Sequence, residues 1–311
     1  MNGAARPGCE VAPTVLIFRP SPLHRAPRVA MKTILVPFYD DDIAQAALGA
    51  SWLVAERFSS YVEALFVMRP PQIFDGEGIA LAGSYMTQLK DEERRLAESA
   101  RKRFQSVIDS RGVELAEVST SAVGVTAGWR ETEGLEGQVV GDYGRLFDLI
   151  VIGRNFGQPW IDWSVMCEAA LFETGRPVLV VGSETPSTIG DRIVIAWNGS
   201  TETARCIAFS MPFLERADSV VVLSVEGWQV PGPSGDQVTA HLQRNGIKAT
   251  SSTVASGSRT VGEAILEETK SLNADLIVKG AYTHSRLRQL VFGGATRHLL
   301  TNTPIPLFMA H

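Results

Sequence analysis

The 311-residue sequence lacks the features that define several protein classes. It contains three cysteines, Cys9, Cys167 and Cys206, and no CxxC pair, so we expect neither a disulfide framework nor a zinc site. No run approaches the roughly 18 apolar residues that a membrane-spanning helix needs. The five histidines show no metal-ligand spacing. Together these gaps favour a soluble protein of a reducing compartment, and we predict a cytoplasmic protein without membrane association.

Common catalytic and nucleotide-binding motifs are missing as well. The sequence has no GxxxxGK[ST], GxGxxG, GxSxG or HExxH segment. It also lacks a basic surplus: the net charge is −5, and residues 1–30 hold four arginines against one glutamate, which makes the remainder more acidic still. Non-specific nucleic-acid binding requires clustered Lys and Arg. We therefore assign no catalytic residue, no metal ligand and no nucleic-acid partner.

Residues 1–30 do not read as part of a folded domain. They contain five prolines and one short apolar run, Val15 to Phe18, which is shorter than the core of a signal peptide. We interpret the segment as a disordered tail, or as an extension upstream of a true start at Met31. A transit peptide, rich in Arg and poor in acidic residues, is the alternative.

From Lys32 onward, short apolar runs alternate with helical patterns, which is typical of βα units on a parallel sheet. Helix periodicity over Ile43 to Val54 illustrates the pattern. The predicted strands are 33–37, 62–67, 114–121, 146–152 and 177–181, and the predicted helices are 43–54, 86–110, 133–145 and 163–174. The fold class is therefore α/β.

The pattern then repeats. Residues 192–196 resemble 32–36, residues 275–278 repeat 148–151, and residues 304–305 repeat 177–178, all in the same order. A polar segment with Gly and Pro, 182–190, separates the copies. The second copy is shorter, which we attribute to loss of the long helix at 86–110. We predict two domains, 31–183 and 190–311, each a five-stranded parallel sheet flanked by helices.

A ligand-binding site is most strongly indicated at residues 280–297, which follow an apolar strand and precede a helix. Gly293 and Gly294 at the helix start would let the backbone approach a phosphate, and Arg286, Arg288 and Arg297 would add positive charge. A tight turn with solvated arginines explains the same residues without a ligand. These residues alone do not distinguish a phosphate site from a tight turn. Their spacing has to be compared with a known pattern.

Gly280 and Gly293 match a pattern of Gly, two residues, Gly, nine residues, Gly, then Ser or Thr, while Thr283 and Gly294 depart from it. In this pattern, and in its strand order, domain size and the ending 176–181, the chain resembles the universal stress protein family over nearly all of 31–310. The resemblance implies Rossmann-like domains of the adenine nucleotide alpha hydrolase-like type.

The resemblance also implies a nucleotide site in the second domain. Asn198 stands at the family's acidic position, Val225 where adenine packs, and Thr296 at a phosphate contact. Thr283 would strain a loop that needs positive φ, and Gly294 lacks the family's hydroxyl. The site that the resemblance implies comprises Ala196, Asn198, Val225, Gly280, Thr283, Gly293, Gly294, Ala295 and Thr296. Its ligand would be ATP or another adenine nucleotide, with or without Mg²⁺.

The equivalent loop of the first domain departs further. Met166 stands thirteen residues after Gly153, where the family has Gly, and Trp160 and Trp163 are bulky residues in a phosphate position. We interpret this copy as structural. The acidic triplet 40–42 suits either a helix cap or a Mg²⁺ site.

Three functions remain open at this point. The first is a regulatory adenine-nucleotide-binding protein of the stress response, which is the role the family resemblance favours over catalysis. The second is a nucleotide-free scaffold for dimerisation, and the third is an adenine-nucleotide hydrolase or transferase. Besides the nucleotide, a homodimer partner or another protein is expected.

Overall fold

The computed structural model describes residues 31–70, 83–117, 123–154, 163–281 and 294–311. Strands and helices alternate along both halves. The first half contains β1 (Thr33–Pro37), α1 (Asp42–Phe58), β2 (Tyr61–Met68), α2 (Gly83–Arg111), β3 (Glu114–Leu115), β4 (Thr126–Glu133), α3 (Glu136–Tyr143), a 3-10 turn (Gly144–Leu146), β5 (Leu149–Gly153), α4 (Trp163–Glu173) and β6 (Val178–Val181). The second half contains β7 (Arg192–Ala196), α5 (Thr201–Leu214), β8 (Ser219–Val225), α6 (Gly235–Arg244), β9 (Ala249–Val254), α7 (Val261–Ser271), β10 (Leu276–Gly280), α8 (Gly294–Asn302) and β11 (Leu307–Ala310).

The strands form one sheet in the order β3-β4-β2-β1-β5-β6-β11-β10-β7-β8-β9. Every neighbouring pair is parallel except β6 and β11, whose antiparallel pairing joins the halves. The α/β class with mostly parallel strands is confirmed. Among the described residues, the second half has the expected five strands, and the first has six when the two-residue β3 is counted. Because the sheet is continuous, the division into domains 31–183 and 190–311 stays a prediction.

Two predictions about elements were wrong. The sequence did not predict β4, which pairs with β2 over eight residues. Of the strand expected at 114–121, Glu114–Leu115 forms β3, and residues 118–121 lie outside the described residues. The second half of β4 is polar and largely exposed, so its sequence does not show a buried strand. The second half was also predicted to have lost the long helix at 86–110. It has a shorter helix in the corresponding place, α6, with 10 residues against 29 in α2.

Helix starts follow ordinary capping chemistry. Asp41 caps α1 by accepting a hydrogen bond from Ala44 N at 2.6 Å, and Ser200 caps α5. Ser234 and Thr260 begin α6 and α7 with capping boxes, which satisfy two N–H groups each. These caps place the helix N-termini α1 and α5 at the carboxyl ends of the parallel strands, where ligands of such folds bind.

The halves also meet through α1 and α5. Phe58 packs edge-on against Phe213, with ring centroids 5.0 Å apart. The guanidinium of Arg57 donates to Asp191 Oδ1 at 2.6 Å and to the carbonyl oxygen of Gly190 at 2.9 Å. The predicted connecting segment 182–190 has no regular secondary structure. Arg57 of α1 binds its last residue, Gly190, and Asp191, which precedes β7. Within the part of the chain described above, no helix is long and apolar enough to cross a bilayer.

Candidate functional site

The carboxyl edge of the second half gathers the described residues of the predicted site. Ala196, Val225 and Gly280 end β7, β8 and β10, and Asn198 follows β7 by two residues. The chain runs from β7 to β8 and β9 on one side, whereas β10 lies on the other side of β7. The point between β7 and β10 is thus a topological switch point, where open α/β sheets bind ligands.

The three predicted residues Gly294, Ala295 and Thr296 form the first turn of α8. Gly294 is exposed, Ala295 is half-buried and Thr296 is buried. The remaining two predicted residues, Thr283 and Gly293, lie outside the described residues. The first N–H groups of a helix have no partner within the helix, so this turn offers donors for an anion.

Asn198 is buried, and its side chain belongs to the start of α5. Its Oδ1 accepts hydrogen bonds from Ser200 N at 3.2 Å and from Thr203 Oγ1 at 3.0 Å. Thr203 N in turn donates to Ser200 Oγ at 3.2 Å. The amide oxygen is therefore committed to holding the helix start, and the predicted contact of Asn198 with a ribose stays a prediction.

Gly280 has a packing role that the sequence pattern does not reveal. A Cβ atom at this position would lie 2.4 Å from Thr203 N and 2.7 Å from Glu202 C, which are backbone atoms of α5. No side chain can occupy that space. Gly280 therefore permits α5 to begin directly against the end of β10, which brings the network of Asn198 beside the switch point.

Gly294 differs from Gly280 in what lies opposite it. No atom of the described residues lies within 4 Å of a Cβ built at Gly294. Its φ is not positive, so the local backbone conformation does not require a glycine. Space next to helix N–H groups, at the switch point of the sheet, is the geometry that a phosphate requires.

A lysine that sequence reasoning missed lies beneath this turn. Lys279 is 4% exposed, and its Nζ donates to Thr296 Oγ1 at 2.7 Å and to the carbonyl oxygen of Gly280 at 2.9 Å. The ring of Trp228 lies 5.6 Å from Nζ. Burial lowers the pKa of Lys279 to about 8. The signal in the sequence is a lysine within the buried strand Leu276–Gly280.

In the first half, aromatic side chains fill the place that corresponds to the site of the second half. Phe38 stands two residues after Val36, as Asn198 does after Ala196, and it is completely buried. Its ring contacts Phe104 and Trp129 edge-on, with centroids 6.1 and 6.2 Å away. This carboxyl edge has a hydrocarbon ring where the second half has a hydrogen-bonding amide.

Space is also scarce beside Gly153. A Cβ there would lie 2.6 Å from Ile43 Cγ2, so Gly153 matches the packing role of Gly280. Trp163 and Met166 are buried, 8% and 4% exposed, and line a cavity of about 20 Å³ beside Gly153. That volume holds roughly one water molecule. Trp160 lies outside the described residues.

The acidic triplet is engaged within the protein. Asp41 is the cap of α1, Asp40 accepts a hydrogen bond from Ser99 and pairs with Arg103 Nε at 3.2 Å, and Asp42 pairs with Arg103 Nη2 at 3.0 Å. Over the described ranges, no group of three or more His, Cys, Asp or Glu side chains is arranged to hold a metal ion. The cap interpretation of Asp41 is the one that the geometry supports.

Comparison with known proteins gives four findings. The family model described as "Universal stress protein family" matches residues 191–311. A universal stress protein from Archaeoglobus fulgidus DSM 4304 has a similar structure, with TM-score 0.66, 14% identity, and 90% of this chain and 98% of that chain covered. The universal stress protein UspA from Lactobacillus plantarum is 20% identical, with TM-score 0.37 and coverage of 49% of this chain and 98% of that one. A search of the curated proteins found no match.

These findings define the class first. A mostly parallel sheet with helices on both faces and a switch point in each half makes this a Rossmann-like α/β protein, and the Archaeoglobus fulgidus structure shows the same fold over 90% of the chain. Within that class, the model of the universal stress protein family matches the second half of the chain, residues 191–311.

Proposed function

We propose that the second half binds an adenine nucleotide, with ATP as the first candidate, and that the protein acts by binding rather than by turnover. The observation that carries the proposal is the space at Gly294, in the first turn of α8 at the switch point, which no described residue fills. The family resemblance supports a regulatory role in the stress response. The equivalent edge of the first half, with Phe38, Trp163 and Met166 buried, has no comparable space among its described residues.

The proposed arrangement assigns each part of the ligand to one element. Phosphate oxygens accept hydrogen bonds from the N–H groups at the start of α8, where the helix dipole also favours negative charge. The buried ends of β7 and β8, at Ala196 and Val225, lie beneath the nucleoside. Mg²⁺, when present, accompanies the phosphates, because the described residues supply no cluster of ligands for it.

Two variants at one position test this arrangement. Gly294→Thr restores the hydroxyl of the family pattern, and the isosteric Gly294→Val places a methyl group at the same point. Because no described atom lies within 4 Å of the new Cβ, both variants should fold. We expect Thr to strengthen ATP binding about fivefold, since a hydrogen bond contributes on the order of 1 kcal/mol. We expect Val to weaken it, because the methyl group desolvates a phosphate without donating to it.

The measurement is calorimetric titration of ATP, preceded by identification of any nucleotide released when the purified protein is heat-denatured. Equal affinity of the Thr and Val variants would show that the site lies elsewhere. Absence of binding at millimolar ATP in the parent and in Gly294→Thr would replace the proposal by the dimerisation scaffold. Steady release of ADP and phosphate from ATP would replace it by the enzyme hypothesis.

A further inference from the structure

Among the described residues, no carboxylate balances the charge of Lys279. Nζ forms hydrogen bonds with two neutral oxygens, on Thr296 and Gly280, and no described Asp or Glu lies within ion-pair distance. The loop sequence between β10 and α8, residues 282–293, contains neither Asp nor Glu. Lys279 is nevertheless 4% exposed, so water does not solvate the ammonium freely either.

This position is unfavourable for a cation in the ligand-free protein. Burial of an ammonium without an opposite charge costs free energy. Moreover, Nζ contacts Thr296, in the first turn of α8, where the helix dipole is positive and repels a cation. The face of Trp228, 5.6 Å away, compensates part of the charge. A bound anion would balance the buried charge of Lys279 and offset its repulsion by the dipole of α8.

We propose that Lys279 contacts a phosphate of the ligand, so that the second half is selective for phosphorylated forms of the nucleotide over the nucleoside. This inference rests on the proposed function and adds a charged residue to a site that would otherwise hold phosphate with backbone groups. An ammonium has three N–H donors, and two of them are used by Thr296 and Gly280. The third is the donor assigned to the ligand, and Thr296 orients the ammonium toward the first turn of α8.

The test compares ATP with adenosine in the full-length protein. Lys279→Met keeps the length and the apolar contacts of the side chain but removes the charge. Lys248→Met is the matched control. Lys248 is exposed and lies at the amino end of β9, whereas the proposed site lies at the carboxyl ends of the strands. Its loss changes the net charge by the same amount. Affinities are measured by calorimetry, and folding is checked by thermal unfolding.

We expect Lys279→Met to weaken ATP binding about tenfold or more, as removal of a charge-assisted hydrogen bond does, and to leave adenosine binding unchanged. Lys248→Met should bind both ligands like the parent. Equal ATP affinity of Lys279→Met and the parent would overturn the inference while leaving the proposed function standing. Equal losses for ATP and adenosine would also overturn it, because they would indicate a structural tie between β10 and α8. A parent that binds neither ligand would overturn the proposed function itself and this inference with it.

Discussion

The guanidinium of Arg154, directly after β5 in the first half, donates a hydrogen bond of 3.2 Å to the carbonyl oxygen of Leu299 in α8 of the second half. It donates to the carbonyl oxygens of Leu300 and Thr303 as well. The last carbonyl groups of a helix have no intrahelical partner, and a cation at this end also opposes the negative end of the dipole. The first half thus caps the C-terminus of the helix whose N-terminus is proposed to hold phosphate.

Replacement of Arg154 should therefore destabilise the protein. Arg154→Met keeps the aliphatic stem but removes the guanidinium donor from three carbonyl groups, of which, within the described part of the chain, only that of Leu299 keeps another donor, Thr303 N. We expect the free energy of unfolding to fall by about 2 kcal/mol. Urea denaturation measures the change. Arg205→Met, at an exposed position on α5, is the control and should unfold like the parent. If both variants unfold alike, the contact between the halves contributes nothing to stability.

The two glycines of the second half should respond differently to a methyl group. Gly280→Ala forces a Cβ to within 2.4 Å of Thr203 N, so we expect a loss of about 1 to 3 kcal/mol in unfolding free energy. Gly294→Ala meets no described atom within 4 Å and should be neutral. Thermal unfolding of the two variants decides the matter. A neutral Gly280→Ala would mean that α5 can move away from β10 at little cost.

Lys279 should make stability depend on pH. Its pKa is lowered to about 8 in the folded protein from an ordinary value of 10.5, so between these values the unfolded chain binds more protons. The contribution of Lys279 to stability therefore rises with pH across that window. The cost of the charge is fully present below about pH 8 and is removed above about pH 10.5. It amounts to about 3 kcal/mol by linkage.

Comparison with Lys279→Met isolates this effect. The advantage of the variant over the parent in unfolding free energy should shrink as the pH increases from 7.5 to 10.5. Lys279 lowers the pKa of Cys206, but burial holds the pKa of both Cys167 and Cys206 at about 12, and loss of the lysine would raise that of Cys206 further. The folded thiols therefore stay protonated over this range in both proteins and affect the two curves alike. An advantage that does not change with pH would show that Lys279 is not a buried cation in solution.

The two buried cysteines should be unreactive in the folded protein. Burial raises the pKa of Cys167 and of Cys206 to about 12, and both are 0% exposed, so almost no accessible thiolate exists at pH 8. In a Cys9→Ser variant, a thiol reagent should react only as fast as the protein opens, and urea should accelerate the reaction. Rapid labelling without urea would contradict the burial of these residues.

Much of the fold could be predicted because central parallel strands are buried on both faces and read as apolar runs. This holds for β1, β5, β7 and β10. It fails for β4, whose outward-facing half is charged, and for α6, whose ten residues carry few apolar side chains. Edge elements are half solvated, so their sequences contain too little apolar periodicity to predict them reliably.

For the site, the amino-acid pattern is enough to predict which residues end the strands and which begin α8, since glycine placement and the family pattern are local properties. The contacts of each residue there depend on the folded structure. Gly280 and Gly294 are the same residue type, yet one faces the backbone of Thr203 and the other has no described atom opposite it. Whether Lys279 is a surface charge or a buried cation likewise depends on α5, α8 and Trp228, elements distant in sequence that meet only when the chain has folded.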